Sequence, residues 1–405
     1  MSKQRLTSSR KQLQVARQVW PLAKDYYAKA RKARKEGIAV AWTVLMPPIE
    51  LLHAFEIMPM MTEHFSSLLA TKQVVAPYLD RADQLGYPTS ACSYHRIMIG
   101  YGVSGEELMI PEPDFLIAAN ICDGGSKAFM PIVDHFQIPY FYLDTPLDFH
   151  SGNSEGVDPE PLEYYRHQLE ELIQFVEEIT HSSLEEERFQ ESMVLAKEAT
   201  DLWLEISELR KNIPCPMGVV DEAGTMYPLM QLLGTKMAVG FYQVLLKEVE
   251  SRVKDRIGVI EEERYRLLWL GPIINYDTGV LNYFEEFGAV LVKSDIDAFY
   301  LAHLDPQNPF ESLARKYIGA NFFGVLGKRL ALTRQLIQDY QINGVVMSSH
   351  LGCRQYCGGQ KAVQDMIKKE FGVPTLNLTG DLADFREYDG HEMRNRIDEF
   401  LELLD

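Results

Sequence analysis

The chain has 405 residues, 46% hydrophobic and 24% charged, with a formal net charge of −18. That length exceeds one simple core and fits two or three domains of a globular protein, and the negative balance excludes a nucleic-acid backbone as the main partner. Five widely spaced cysteines exclude a secreted disulfide framework, which would be denser and even-numbered, so reduced thiols and a cytoplasmic protein are expected.

In chain order, residues 1–36 carry eleven Lys or Arg against Asp25 and Glu36 and read as a basic helix, with apolar positions at Leu13, Val15, Val19 and Leu22. Its polar face is either solvated or a docking surface for an acidic or phosphate-rich partner. The segment lacks the apolar core of a secretory signal, although its Arg and Ser content imitates a transit peptide. The most apolar stretch, GIAVAWTVLMPPIELLHAFEIMPMM at 37–61, is broken by Pro47 and Pro48 and punctuated by Glu50, His53 and Glu56. No membrane span is expected there.

DFLIAANIC, 114–122, is a continuous apolar run between PEP and DGGSK, the pattern of a buried parallel strand. A helical KAFMPIVDHF follows, then Pro139 and a second strand, YFYLD, ending at Asp144. From 153 the sequence turns helical and acidic. Asp158 is the expected N-cap and Pro159 the first helical residue, with Leu162, Tyr165, Leu169, Leu172, Ile173, Val176 and Ile179 on one face. SSLEEERF predicts a second start through a capping box, Ser183 to Glu186. Strands are expected again at RYRLLWLGPI, GAVLVKSD and INGVVMSSHLGC, then a helix and VPTLNLTGD, ending at Asp381. In both halves an apolar strand leads to a cysteine, a helix follows, and an X-Pro strand ends in aspartate. The divisions expected are 1–36 as an N-terminal helical segment, 37–152 as a first α/β domain, 153–260 as a helical connector and 261–405 as a second α/β domain. Alternating strands and helices predict parallel sheets, whose ligands gather at the carboxyl ends of the strands.

SSHLGCRQYCGGQ, 348–360, raises four chemistries: zinc, a disulfide, a nucleophilic thiol and a metal cluster with distant ligands. Structural zinc wants two close ligand pairs, and no second pair follows Cys353 and Cys357. His350 is either a third ligand or a capping, packing residue. Cys92 with His95 could form a thiol and base, but proximity in sequence does not establish it. The dinucleotide and Walker fingerprints are absent, while DGGSK could aim backbone amides at an anion. The remaining reading is a distributed iron–sulfur site drawing on Cys92, Cys122 and Cys353. Cys215, between prolines, carries no evident chemistry.

These residues also carry a resemblance. GIAVAWTVLMPPIEL, ACSYHRIMIGYG with Arg96, MIPEPDFLIAANICDGG, EERYRLLWLGPIINY, SSHLGCRQYCGG and VPTLNLTGDLADFR occur in the order found in the 2-hydroxyacyl-CoA dehydratase and benzoyl-CoA reductase family, and the chain resembles a subunit of it. The resemblance implies an α/β protein with two Rossmann-like or flavodoxin-like parallel-sheet domains, an N-terminal helix and a helical connector. It implies a [4Fe–4S] cluster in the interdomain cleft, held by Cys92, Cys122 and Cys353. It further implies a related sister subunit, an ATP-hydrolysing iron–sulfur activator and an acyl-CoA substrate. A dehydratase of this kind removes water from a 2-hydroxyacyl-CoA through a ketyl radical, whereas a reductase leaves the electrons in the acyl group. Glu50 matches the family's glutamate and is either a carboxylate near the acyl group, as base or hydrogen-bond acceptor, or a salt-bridge partner at a helix start. Thr43 matches a hydroxyl position that contacts the thioester or the leaving hydroxyl. Three departures stand out: Ala41 replaces a glycine, Val44 and Leu45 are apolar, and Cys357 adds a thiol. Cys357 is either an extra, fourth ligand or a sign of a double-cubane, homodimeric branch that reduces small molecules, although that branch would need six cysteines and this chain has five.

Overall fold

In the computed structural model the described residues are 9–44, 46–104, 110–122, 124–148, 157–320, 325–386 and 388–404. Leu45, Asp123 of the DGGSK stretch and the first eight residues lie outside them. Eight strands are found among the described residues: β1 Val40–Val44, β2 Met58–Met61, β3 Phe115–Ala119, β4 Tyr140–Leu143, β5 Tyr265–Leu270, β6 Ala289–Ser294, β7 Gly344–His350 and β8 Thr375–Gly380. They form two four-stranded, wholly parallel sheets, ordered β2-β1-β3-β4 and β6-β5-β7-β8. Both sheets therefore share one topology, and the cysteine-bearing repeat seen in the sequence corresponds to β3–β4 and β7–β8. In each sheet the order reverses between the first and third strands, which opens a crevice at their carboxyl ends.

The strands are buried for the reason their sequences suggest. All five residues of β1 and of β3 and all six of β6 are buried, as expected of parallel strands covered on both faces. The first sheet shares a core with the N-terminal helix and the long helices Pro159–Thr180 and Glu186–Leu209. The second sheet has a core on each face, one closed by the helix Gly390–Glu402 and the other by the helices Leu326–Asp339 and Gln360–Phe371.

Two details differ from the sequence reading. Helix begins only at Val15, as a 3-10 turn running into Val19–Ala33, while residues 9–14 form no regular element and are held against the body. The Asp221 carboxylate accepts the backbone N–H of Gln12 at 3.1 Å, and Glu248 accepts those of Gln14 and Val15 at 2.7 and 2.9 Å. Carboxylates from distant helices satisfy amides that a longer helix would have used. The second difference is the helix after SSLEEERF, which starts at Glu186 with Glu185 at its N-cap, so Ser183 caps nothing. Asp158 does occupy the N-cap of its helix, and Tyr165, Leu169, Leu172 and Val176 form its buried face.

Candidate functional site

Cys122 lies three residues beyond β3 and Cys353 three beyond β7, each in the turn that leads into a short helix. Cys92 comes from outside the repeat, as the N-cap of the helix Ser93–Gly102. Close backbone approaches bring the three turns together. Gly352 sits on the Ala91–Cys92 backbone so tightly that an added Cβ would fall 2.8 Å from Cys92 Cα. The Gln355 amide donates to the Ile121 carbonyl at 2.7 Å, tying the third motif to the Cys122 turn. A Cβ on Gly124 would stand 3.4 Å from His95 Nδ1 and 3.9 Å from Cys122 Sγ, so the His95 ring lies beside that turn.

The electrostatics record the convergence. Burial pushes the Cys92 thiol well above its ordinary value, and the Cys122 and Cys353 thiols push it further, while the backbone amides of His95 and Tyr94 pull it down. Cys353 is pushed up to about 12 by burial, against the backbone amide of Tyr356 and with help from Cys122. The Cys92 and Cys353 thiols thus resist ionisation until a metal supplies positive charge, which deprotonates coordinating thiols outright. Amides at helix starts already point at two of these sulfurs, as a bound thiolate requires. Among the described residues no group of three or more His, Cys, Asp or Glu is placed to hold a single metal ion. A donor set of thiols alone suits an iron–sulfur cluster, whose ligands spread around a larger body than one ion.

The other two cysteines are engaged elsewhere. The Cys357 thiol donates to the His350 carbonyl at 3.1 Å, and Cys215 is fully buried with its thiol donating to the Met217 carbonyl at 3.2 Å. His350 packs and caps: its Nδ1 accepts the Leu382 N–H at 3.2 Å and faces Asp381 at 3.4 Å, and burial holds it below the usual imidazole range. Asp381 accepts the amides of Ala383 and Asp384, and Asp144 accepts the Tyr164 hydroxyl, so both strand-end aspartates serve the fold. Arg96 is 1% exposed and bonds Asp83 and, at 3.1 Å, Asp384 beyond β8, joining the first cysteine helix to the closing motif.

A second cluster of groups stands at the carboxyl end of β1. Thr43 is fully buried, and its hydroxyl has no hydrogen-bond partner among the described residues. It borders a narrow space of about 10 Å³, room for about one water, together with Met46, Pro47, Tyr300, Lys316 and Tyr317. Met46 holds a left-handed φ of 50° at its edge, a strained conformation of the kind that gathers at functional sites. Glu50 stands behind the lining, fully buried. One of its oxygens is paired with the Lys316 ammonium, and the other lies 3.0 Å from the Tyr317 hydroxyl. Neither Lys316 nor Tyr317 carries a local signal in the sequence, because each meets Glu50 across more than 260 residues.

A polar thread joins the pocket to the thiols. The Thr43 carbonyl accepts the Thr62 hydroxyl at 3.1 Å, which also lies 3.1 Å from Glu63 Oε2, and the other Glu63 oxygen is 3.3 Å from His95 Nε2. The sequence left open whether His95 serves Cys92 as a base. The structure pairs its ring with Glu63.

No helix among the described residues is long and apolar enough to cross a membrane. The chain is 26% identical to the (R)-2-hydroxyisocaproyl-CoA dehydratase alpha subunit of Clostridioides difficile, over 95% of this chain and 94% of that protein. It is 24% identical to the (R)-phenyllactyl-CoA dehydratase alpha subunit of Clostridium sporogenes, over 93% and 92%. It is also 26% identical to one of the subunits of benzoyl-CoA reductase from Thauera aromatica, over 80% and 79%. The family model for the 2-hydroxyglutaryl-CoA dehydratase D-component matches residues 44–404, and the chain belongs to that family.

Proposed function

We propose that this chain is the iron–sulfur subunit of a 2-hydroxyacyl-CoA dehydratase. It would work with a related sister subunit and an ATP-hydrolysing iron–sulfur activator, and remove water from its substrate through a ketyl radical of the thioester. The observation that carries the reading is the meeting of Cys92, Cys122 and Cys353 where the carboxyl ends of both sheets come together. These three would hold one [4Fe–4S] cluster in the interdomain cleft. With Cys215 and Cys357 both donating to carbonyls, three thiols remain, which suits one cubane rather than two and leaves one iron without a protein thiolate.

Bound there, the cluster supplies a low-potential electron and a Lewis-acidic iron. The chain's own residues would do the rest. The Thr43 hydroxyl, unpartnered among the described residues, receives the acyl oxygen or the departing hydroxyl. Lys316 supplies positive charge at the pocket, and Glu50 holds that ammonium in place, so Glu50 acts through Lys316 rather than as a free base. Burial of all three keeps water from quenching a radical.

Anaerobic purification with the sister subunit tests this. About four irons per chain are expected, lost in Cys92→Ser, Cys122→Ser and Cys353→Ser and kept in Cys357→Ser. A colourless complex, or full iron in Cys353→Ser, would sink the reading. The relative named as a reductase gives a second reading, in which electrons stay in the acyl group. Release of one water per thioester, with no net reductant consumed, decides for the dehydratase.

A further inference from the structure

Two imidazoles stand by the thiol turns, one from each half of the chain, and each has one nitrogen committed and one left over. His350 ends β7 and is 1% exposed. Its Nδ1 accepts the Leu382 N–H at 3.2 Å, which puts the proton of the neutral ring on Nε2. That Nε2 is a buried donor with no hydrogen-bond partner among the described residues. His95 is 7% exposed, in the helix that Cys92 caps. Its Nε2 lies 3.3 Å from Glu63 Oε1, and a carboxylate only accepts, so in the neutral ring Nδ1 is a bare acceptor. It too has no partner among the described residues.

The two rings belong to one neighbourhood. Gly352, two residues beyond His350, rests on the Ala91–Cys92 backbone. Burial first of all keeps His350 below the usual imidazole range, and the nearby His95 adds to that against the pull of Asp381. Nδ1 of His95 is left open by a glycine: a Cβ on Gly124 would stand 3.4 Å from it and 3.9 Å from Cys122 Sγ. A buried donor and a buried acceptor, both unmet, are costly to keep. A hydroxyl group answers both with one atom, since its oxygen accepts while its hydrogen is donated.

Resting on the acyl-CoA reading above, we propose that His350 and His95 together hold the 2-hydroxyl of the substrate beside the thiols, His350 donating to its oxygen through Nε2 and His95 accepting its hydrogen through Nδ1. The pair recognises the group that is to depart and orients its carbon–oxygen bond. Glu63 and the Leu382 amide, which fix the two tautomers, act as positioning groups. The hydroxyl then falls to the histidines and the acyl oxygen to Thr43.

The test uses the anaerobically purified holoenzyme with its sister subunit, without activator so that nothing turns over. Two CoA thioesters of one carbon skeleton are compared by calorimetry, one with the 2-hydroxyl and one with hydrogen in its place. The hydroxylated thioester should bind on the order of 100-fold more tightly, about tenfold for each hydrogen bond. His350→Asn keeps an acceptor for the Leu382 amide and removes the Nε2 donor, and His95→Gln keeps a donor for Glu63 and removes the Nδ1 acceptor. Each should cut the preference about tenfold, through weaker binding of the hydroxylated thioester alone, with iron per chain unchanged. Gly124→Ala leaves both rings in place and covers Nδ1 with a methyl group, so it should give the same loss even where a histidine variant fails to fold. Equal affinities in the parent, or an unchanged ratio in the variants that fold, overturn the inference and leave the acyl-CoA reading intact. Binding of neither thioester by iron-replete enzyme removes both.

Discussion

Replacing Lys316 by methionine should destabilise the protein far more than the loss of a surface ion pair. Glu50 is 0% exposed and the Lys316 side chain 3%, so removing the ammonium leaves a buried carboxylate with the Tyr317 hydroxyl for company. Breaking one partner of a buried pair costs about 3–5 kcal/mol, against under about 1 kcal/mol for an exposed one. At about 2.1 cal/mol/K per residue, the unfolding entropy of 405 residues is about 0.85 kcal/mol/K, so Lys316→Met should lower Tm by about 4–6 °C.

The double variant Glu50→Leu with Lys316→Met removes both charges at once, and Tyr317 keeps the Pro47 carbonyl, also at 3.0 Å, as its acceptor. Its Tm should return to within about 2 °C of the parent. The sign of the pH dependence follows from the same geometry. An unpaired buried carboxylate has a folded-state pKa above its unfolded value of about 4.3, so the native form binds more protons and stability falls as pH rises through that interval. Lys316→Met should therefore recover stability as the pH is lowered toward about 5. A Tm drop of less than about 1 °C, or no recovery in the double variant, would show that the pair is neither buried nor coupled. Dehydratase activity separates the two roles, because the double variant should regain stability without regaining turnover.

Two other perturbations address the rest of the site and the N-terminal strap. Gly352→Ala places a methyl group 2.8 Å from backbone atoms of Ala91 and Cys92, which cannot swing aside, and overpacking of this kind costs about 1–3 kcal/mol. Iron per chain should fall and bleaching in air should quicken, and unaltered iron content and bleaching rate would contradict the close approach. Asp221 is pushed up to about 6 by burial, against the pull of Lys11 and the amides of Leu13 and Gln12. A raised folded-state value means that stability is lost as pH rises between about 4 and 6, up to about 3 kcal/mol in all. Asp221→Asn should remove that slope in urea unfolding, and a parallel pair of pH profiles would refute it.

How much of this was legible in the sequence depended on whether the signal was local. β3 and β7 showed themselves because buried parallel strands are apolar runs closed by Pro, Gly or Asp, and β8, only half buried, by Pro374 before it and Asp381 after it. β1 and β2 were hidden inside one apolar stretch, and β2 contains Pro59. The position is tolerated because β2 lies at the edge of its sheet, where a missing N–H leaves no ladder bond unmade. Ser183 looked like a cap, but the helix starts at Glu186, three residues later. Thr43 and Glu50 could be picked out by resemblance, whereas Lys316 and Tyr317 could not, since only the folded chain brings the helix Pro309–Ala320 to the end of β1. The same holds for Glu63, whose link to His95 spans 32 residues and two helices.

The two halves share a strand order, yet they do not offer the same crevice. In the first sheet β1 and β3 are hydrogen-bonded neighbours, with Val44 paired to Ala118, so the pocket at Thr43 and the turn of Cys122 share one switch point. Acyl group and cluster would then adjoin as a consequence of topology. The equivalent point in the second sheet, between β5 and β7, is filled by its own chain. Gly271, with φ of 109°, ends β5 so close to β7 that an added Cβ would lie 2.4 Å from the Ser348 carbonyl oxygen. Its N–H is taken by Asp295 at 3.0 Å, and the same Asp295 oxygen accepts the Tyr356 hydroxyl at 2.8 Å. The second half thus contributes one thiol, Cys353, and a rigid backing, and the first contributes two, Cys92 and Cys122, beside the Thr43 end of β1. A duplicated unit with one crevice sealed leaves one open crevice, and under the proposed reading Cys353 would then serve a site built on the first sheet.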